Sequence, residues 1–521
     1  MALLIIIVAG VGLRVLGIFR PLLGNFAIYQ TAQAMMARFF VNDHFTTLFY
    51  PQVNDLVAGK PGLLLLYYPV SSLIAGIFFF FFGGSLDFWG RLQAIVFFGA
   101  ACLYLFRLVK ILIDEKIALA SVVVFSLSPL TVIYGQSFQN EMATVFFTLV
   151  FLYDLLRYFE TRKFLPFIFS FLSLSLLLLT RPNGLYLLAP AFYLAFRSKN
   201  SARSRFRDVL GLLGVTAAGL ILPALWYFHL WRVSQQVNHI YSTLFAQLAV
   251  RSSFASPLVL SGSYYRDLLD TMTGITLTPV GFTLLVLGLY LGLLSFETYG
   301  FFIFWALSFF GSSLLMPRKL IEHEFYLLPL VTAVSPLIGK GFYGITGIMQ
   351  ANKINLKRFA VYFLAVSFLV SMRYAEHPAF KTPEEDRRLI PVAQKLQELT
   401  SKSQSRIVVQ GTHSLLYFAD RYGWPFLVDR TGEISDYYKY TNFQKLSREQ
   451  RKKRNEALKD PVANLEYLCQ EEGATHFVVT DAKEFYRHPD FANYMHSNFK
   501  LLFEEKNVGL IFDLKASLKT V

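Results

Sequence analysis

Charge-poor apolar runs recur through most of the first 375 residues, and each is long enough to cross a bilayer or nearly so. They fall at about 2–19, 62–82, 89–106, 117–134, 142–156, 164–180, 183–196, 209–231, 278–296, 299–315, 325–346 and 359–373. A hydrocarbon layer about 30 Å thick is spanned by roughly 20 helical residues, so twelve such runs define a polytopic α-helical membrane protein. One soluble core could not absorb this surface: 54% of the 521 residues are hydrophobic, 17% are aromatic and 16% are charged. The first run has no basic segment before it and no small-residue cleavage site after it, so Met1–Phe19 is expected to be a retained span.

Basic loops fix the sides. "RSKNSARSRFR" (197–207) carries five basic residues and no acid, and with "RYFETRK" (157–163) and "KINLKR" (353–358) it is expected to be cytoplasmic. If 62–82 crossed the membrane and the N-terminus stayed inside, all three loops would lie outside. Reading that run as a re-entrant or interfacial segment interrupted at Pro69 leaves about eleven spans, with the N-terminus in and the C-terminus out; a twelve-span chain is the alternative. The net charge of +14 is carried largely by such loops, so nucleic acid is not implied as a partner. Cys102 lies within a span and Cys469 near the C-terminus, and no disulfide is expected between them.

After Tyr374 the composition turns soluble. "PEEDRRLIPVAQKLQELT" (383–400) has helical apolar spacing, "RIVVQ" (406–410) and "GATHFVVTD" (473–481) read as strands, and 500–515 reads as a hairpin turning at Lys506-Asn507. The chain therefore divides into a transmembrane domain, 1–375, and a small extracytoplasmic α/β domain, 376–521. The second has no glycine-rich nucleotide loop and no paired CxxC, which suits a cap or an acceptor seat better than an independent catalyst. No internal repeat is visible, which weighs against a transporter built from duplicated halves.

The unusual polar residues fall on one side of this topology. In "FAIYQTAQAMMARFF" (26–40) Gln30, Thr31, Gln33 and Arg38 share one side of a helical wheel, predicting an amphipathic helix along the outer surface. "YPQVNDLVAGKPG" (50–62) brings Asp55 and Lys60, and Glu141 stands at the junction of "YGQSFQNE" with a span. Arg181 lies between two short spans, and Arg318, Lys319, His323 and Glu324, with Tyr326 just beyond, complete the ring. An acid at a bundle mouth is expensive and tends to be functional. No second histidine stands at metal spacing and there is no Asp-x-Asp, so neither a metal nor another cofactor is expected. Cations with one or two acids suit a lipid-phosphate sugar donor: Lys and Arg bind the leaving phosphate, and a carboxylate takes the acceptor's proton.

Taken in order, these pieces resemble the GT-C superfamily of polyprenyl-phosphate-sugar-dependent glycosyltransferases. The relevant members are the protein O-mannosyltransferases, the lipid A aminoarabinose transferases and related bacterial enzymes that modify lipopolysaccharide cores. The resemblance covers roughly 1–375 and rests on "AMMAR" (34–38), "GKPG" (59–62), "GRLQAIVFFGAACLYLFRL" (90–108), "FSLSPLTVIYGQSFQNEM" (125–142) and "HEFYLLPL" (323–330). "LLYFADRYGW" (415–424) is similar to a segment of some bacterial outer domains. The resemblance implies inverting transfer at the outer face of a membrane, expected to be a prokaryotic inner membrane. It further implies a lipid, glycan or protein acceptor, and a Lys60 that touches the donor phosphate.

One departure matters. Relatives carry an Asp in the first loop; here Asn25 holds its spacing to Tyr29, and an amide is no useful proton acceptor. Either Glu141, with Asp55 second, serves as the catalytic acid, or transfer has been lost. The expected substrate-binding set is Asn25, Tyr29, Gln30, Lys60, Arg181, Arg318, Lys319, His323, Glu324 and Tyr326. A scaffold that binds lipid without turnover is the main competing class. A transporter would need charges deep in the spans, where Arg14 and Arg91 are the exceptions to the clustering at one face.

Overall fold

The computed structural model describes residues 1–24, 26–197, 202–237, 241–242, 257–353, 355–428, 447–505 and 508–517. All eleven runs read as spans are helical. Among the described residues, five helices are individually long and apolar enough to cross a membrane. A sixth span would come from Gly262–Thr276 and Thr278–Leu293, bent by 109° at their break, and Ala2–Val15, Val70–Phe82 and Phe164–Thr180 are shorter apolar helices. The protein is therefore an integral membrane protein, mostly helical, with a small sheet at its C-terminal end.

Local signals set the helix ends. Ser85 caps Leu86–Leu112 by accepting from the Asp87 amide at 3.2 Å, and Asp114 caps Glu115–Leu127 through the Ile117 amide at 2.8 Å. The helices Glu141–Thr161 and Phe164–Thr180 are joined by Arg162, whose left-handed φ of 56° closes the first of them.

The run 62–82 divides at Pro69, as expected, but its first part is a strand. Its first residues lie in the strand β2 (Lys60–Leu65), which pairs antiparallel with β1 (Gln52–Val57) across Ala58 and Gly59, at φ 50° and 73°. Two positive φ values suit the tight hairpin turns that match strand twist. Pro69, with no amide hydrogen, then opens the helix Val70–Phe82.

Six further strands complete the sheet: β3 (Tyr241–Ser242), β4 (Arg406–Gln410), β5 (Tyr422–Phe426), β6 (His476–Val479), β7 (Phe499–Glu505) and β8 (Gly509–Ser517). Their order is β3-β2-β1-β5-β4-β6-β8-β7. Strands β5, β4 and β6 are mutually parallel, β8 returns antiparallel, and β1 joins β5 at Asp55 opposite Gly423. The sheet thus draws on both halves of the chain. The expected strands at 406–410 and 473–481, the helix within 383–400 and the final hairpin are all present, while Lys506-Asn507 lie outside the described residues.

Polar contacts clamp the C-terminal segment to the first loop. Asp87 accepts from the Tyr417 hydroxyl at 2.6 Å and the Leu22 amide at 3.2 Å, and Arg38 reaches Asp420 at 2.9 Å. The helix Ala27–Asn42 is where its periodicity places it, but its polar stripe does not face water. Gln30, Thr31 and Gln33 are buried: Thr31 bonds Ser414, Gln30 accepts from the Phe138 amide at 3.1 Å, and Gln33 accepts from Ser72. The stripe is polar because it meets the outer segment and the next loops.

Helices Thr278–Leu293 and Leu328–Ala351 approach through Gly288 and Gly341. A Cβ at Gly288 would stand 1.8 Å from the Leu337 carbonyl oxygen, and one at Gly341 2.1 Å from that of Leu284. Small residues permit such backbone contact between membrane helices. Gly288→Val is expected to force the pair apart, read as a lower melting temperature and a smaller monodisperse fraction in detergent; Gly347→Val, where a Cβ meets nothing within 4 Å, should leave both unchanged.

Candidate active site

The site is built where two helices end. Glu141 opens Glu141–Thr161, and Arg181 follows Phe164–Thr180. Pro182 comes next, and the residue before a proline is driven from helical to extended backbone. Arg181 accordingly sits at φ −152°, ψ 98°, leaving the helix axis. Its guanidinium donates to the Glu141 carboxylate in an ion pair whose residues are 6% and 5% exposed. The Arg181 guanidinium also lies over three aromatic rings: Tyr326 at 4.5 Å, Phe325 at 5.1 Å and Tyr67 at 5.3 Å. The pair borders a small pocket of about 20 Å³, lined further by Thr144, Thr148, Asn183, Tyr186, Phe309 and Pro329.

Phe325 joins this pocket to a second cluster. Its ring stacks on His323 at 5.2 Å, the His323 Nε2 and the Tyr29 hydroxyl are 3.3 Å apart, and the Tyr134 hydroxyl donates to Glu324 at 3.1 Å. Burial, with Lys319 and Arg181 adding positive charge, pushes His323 down to about 4 from its ordinary 6.5. The ring is therefore neutral at pH 7 and serves as a hydrogen-bonding wall, not as a cation.

A neutral buried histidine carries a sign for stability. Between pH 6.5 and about 4 the unfolded chain binds the proton that the folded ring refuses. Its contribution is thus full above the unfolded value and lost as pH falls towards the folded one. Wild type is expected to lose thermal stability from pH 7.5 to 5 that His323→Gln retains, so the difference between their melting temperatures shrinks on acidification.

The sequence-derived residues separate into groups. Glu141, Arg181 and Tyr326 line one pocket, and Tyr29, His323 and Glu324 form the adjoining cluster. Lys319 stands near enough to His323 to influence its titration. Arg318 pairs with Glu322 at 2.5 Å on the exposed turn Pro317–Glu322. Lys60 is exposed at the start of β2, and Gln30 braces the Phe138 amide. Asp55 is held in the sheet, 2.8 Å from the His413 Nδ1, and does not line the pocket. Asn25 lies outside the described residues. Among the described residues, no three His, Cys, Asp or Glu side chains gather as metal ligands would.

Sequence reasoning missed Tyr67, Thr144, Thr148, Asn183 and Tyr186. Two were legible: Thr144 and Thr148 follow Glu141 by three and seven residues, one face of a helix. Tyr67 was not, because the residues around it were read as part of a membrane segment.

Comparison with known proteins agrees with this architecture. Residues 61–228 match the family described as dolichyl-phosphate-mannose-protein mannosyltransferase. ArnT from Cupriavidus metallidurans, solved bound to undecaprenyl phosphate, is similar with a TM-score of 0.60 and 11% identity, over 98% of this chain and 97% of that one. The oligosaccharyltransferase AglB from Archaeoglobus fulgidus, solved with an inhibitory peptide and a dolichol-phosphate, gives 0.57 and 11%, over 98% and 73%. No curated protein matches the chain. The chain shares its fold with ArnT and AglB.

Proposed function

We propose that this protein is a membrane glycosyltransferase that moves a sugar from a polyprenyl-phosphate carrier to an acceptor outside the cytoplasm. The observation that carries this reading is the buried Glu141–Arg181 pair at the mouth of a helix bundle, walled by Tyr67, Phe325 and Tyr326. The family matched by residues 61–228 and the lipid phosphates bound by ArnT and AglB support the same donor class.

In the proposed reaction the donor phosphate takes the Arg181 guanidinium from Glu141. The released carboxylate accepts the proton of the acceptor hydroxyl as its oxygen attacks the anomeric carbon. The bond from that carbon to the phosphate oxygen breaks on the opposite face, so the configuration inverts. Polyprenyl phosphate leaves with the electron pair, and Arg181 meets its negative charge. Arg181 supplies this charge without a metal. Lys319, beside His323, adds positive potential to the phosphate's approach, and Lys60 stands exposed for a headgroup. Residues 1–375 carry the chemistry, and 376–521 cover the site from outside a prokaryotic inner membrane whose cytoplasmic side holds the N-terminus.

A second reading rests on Asn25, which stands where relatives have an acid: a scaffold that binds the carrier and performs no transfer. Purified protein in nanodiscs, given a panel of polyprenyl-phosphate sugars and membrane-extract acceptors, separates the two by mass spectrometry. Release of polyprenyl phosphate with a glycosylated acceptor is the expected result. Carrier binding without release from any donor would replace the enzyme by the scaffold.

A further inference from the structure

The helix Glu141–Thr161 runs 21 residues, about 30 Å, away from the ion pair, and Phe164–Thr180 returns to it. The turn between them, within "RYFETRK" (157–163), therefore stands at the membrane face opposite Glu141 and Arg181. The long helix Ala202–Gln236 begins at the same level. Its Asp208 is buried and accepts from Arg162, a Cβ at Gly211 would stand 2.6 Å from the Tyr158 ring, and the Gly219 carbonyl accepts from Ser175 at 2.9 Å. These contacts set Phe164–Thr180 and Ala202–Gln236 side by side, running in the same direction, with glycines allowing the close approach.

Two basic segments far apart in sequence are thereby brought together. Segments 157–163 and 202–208 hold six basic residues and two acids. Both acids are engaged: Glu160 accepts from Arg157 at 2.8 Å, and Asp208 accepts from Arg162, whose guanidinium also lies over the Tyr158 ring at 5.8 Å. Lys163, Arg203, Arg205 and Arg207 are exposed. Their setting is apolar. Arg203, Phe206, Leu210 and Leu213 follow one another at intervals of three and four, so they share one helix face, a cation above three exposed apolar side chains. On the neighbouring helix Lys163 is followed by Phe164 and Leu165, which are exposed as well. A free anion would use only the cations of such a surface. A phospholipid uses both parts: its anionic headgroup meets the basic collar, and its acyl chains cover the phenylalanines and leucines below.

We propose that this surface, at the first turns of Phe164–Thr180 and Ala202–Gln236, binds an anionic phospholipid of the leaflet opposite the ion pair, the cytoplasmic leaflet in the topology proposed above. It does not depend on glycosyl transfer. The full chain, purified in detergent, would be mixed with equal amounts of phosphatidylglycerol and phosphatidylcholine of the same acyl chains, and the retained lipids counted by native mass spectrometry. Wild type is expected to retain phosphatidylglycerol at least about tenfold over phosphatidylcholine. The preference should vanish in Arg203→Gln/Arg205→Gln/Arg207→Gln and persist in Lys353→Gln/Arg358→Gln, whose residues are exposed at another basic loop. All three arginines are exposed, so the triple variant is expected to keep the wild-type melting temperature, and Arg203→Gln alone should already lower the preference about threefold. Equal retention of both lipids by wild type would overturn the assignment, leaving ordinary lipid contact. A preference that the triple variant keeps, or that the Lys353 and Arg358 variant loses to the same extent, would overturn it too, by placing the attraction elsewhere or in diffuse charge.

Discussion

Glu141→Gln is expected to abolish measurable transfer while the protein folds and still binds polyprenyl phosphate. The amide is nearly isosteric with the carboxylate and its oxygen can still accept from Arg181, but it cannot take a proton near neutral pH. General-base catalysis contributes roughly 10²–10⁴-fold in rate, and a loss in that range would be read as polyprenyl phosphate released per unit time. Glu141→Ala is expected to show a second effect, because it strands the Arg181 guanidinium, 6% exposed, without its anion. Removing one partner of a buried pair costs about 3–5 kcal/mol, so the alanine variant should also melt lower than the glutamine variant. Wild-type turnover in Glu141→Gln would transfer the base to another acid. Glu324, tied to the Tyr134 hydroxyl beside the pocket, would then be the next to test, ahead of Asp55, which is engaged by His413 in the sheet.

This ordering of the acids shows what the sequence can and cannot reveal. Glu141 and Arg181 stood out because ionisable residues at the ends of apolar runs are costly, and their position at helix termini followed from the runs themselves. Asp55 stood out second to Glu141, because nothing local distinguishes an acid facing a cavity from one facing a histidine 358 residues away in sequence. The sheet explains the difference. Strand β1 is recruited by β5 across the chain, and long-range pairing of that kind leaves no trace in periodicity. The same recruitment hid β2: "LLLLYYPVSSLIAGIFFFFF" is uncharged and mostly apolar, and an apolar run alone does not tell a buried strand from a membrane helix. Pro69 was the one local mark of the change, and it does open the helix Val70–Phe82. The polar stripe of Ala27–Asn42 was legible as a stripe, but its partners Ser72, Phe138 and Ser414 come from three other segments.

Arg91→Lys is expected to weaken the site from a distance. Arg91 is 5% exposed and donates to three backbone carbonyls: Arg20 at 3.0 Å, Pro21 at 2.9 Å and Gln136 at 2.8 Å. The first two belong to the chain entering the helix Ala27–Asn42, which carries Tyr29; the third lies five residues before Glu141. One guanidinium thus fixes the spacing between the two loops that supply the two halves of the site. Its planar fork suits several fixed acceptors at once, whereas a lysine ammonium on a flexible stem cannot keep all three. Hydrogen bonds to charged groups are each worth roughly 1.5–3 kcal/mol, so losing one or two should cost about 3 kcal/mol and lower the melting temperature. Because Arg91 bonds the loops and not the pocket lining, a positioning role also predicts a lower kcat at temperatures where the variant is fully folded. Conformational looseness near Glu141 disturbs the approach of base to acceptor more than it disturbs the grip of Arg181 on phosphate. A variant with lower stability and unchanged kcat would confine Arg91 to holding the fold, and the two loops would then owe their spacing to the Gln30 contact with the Phe138 amide.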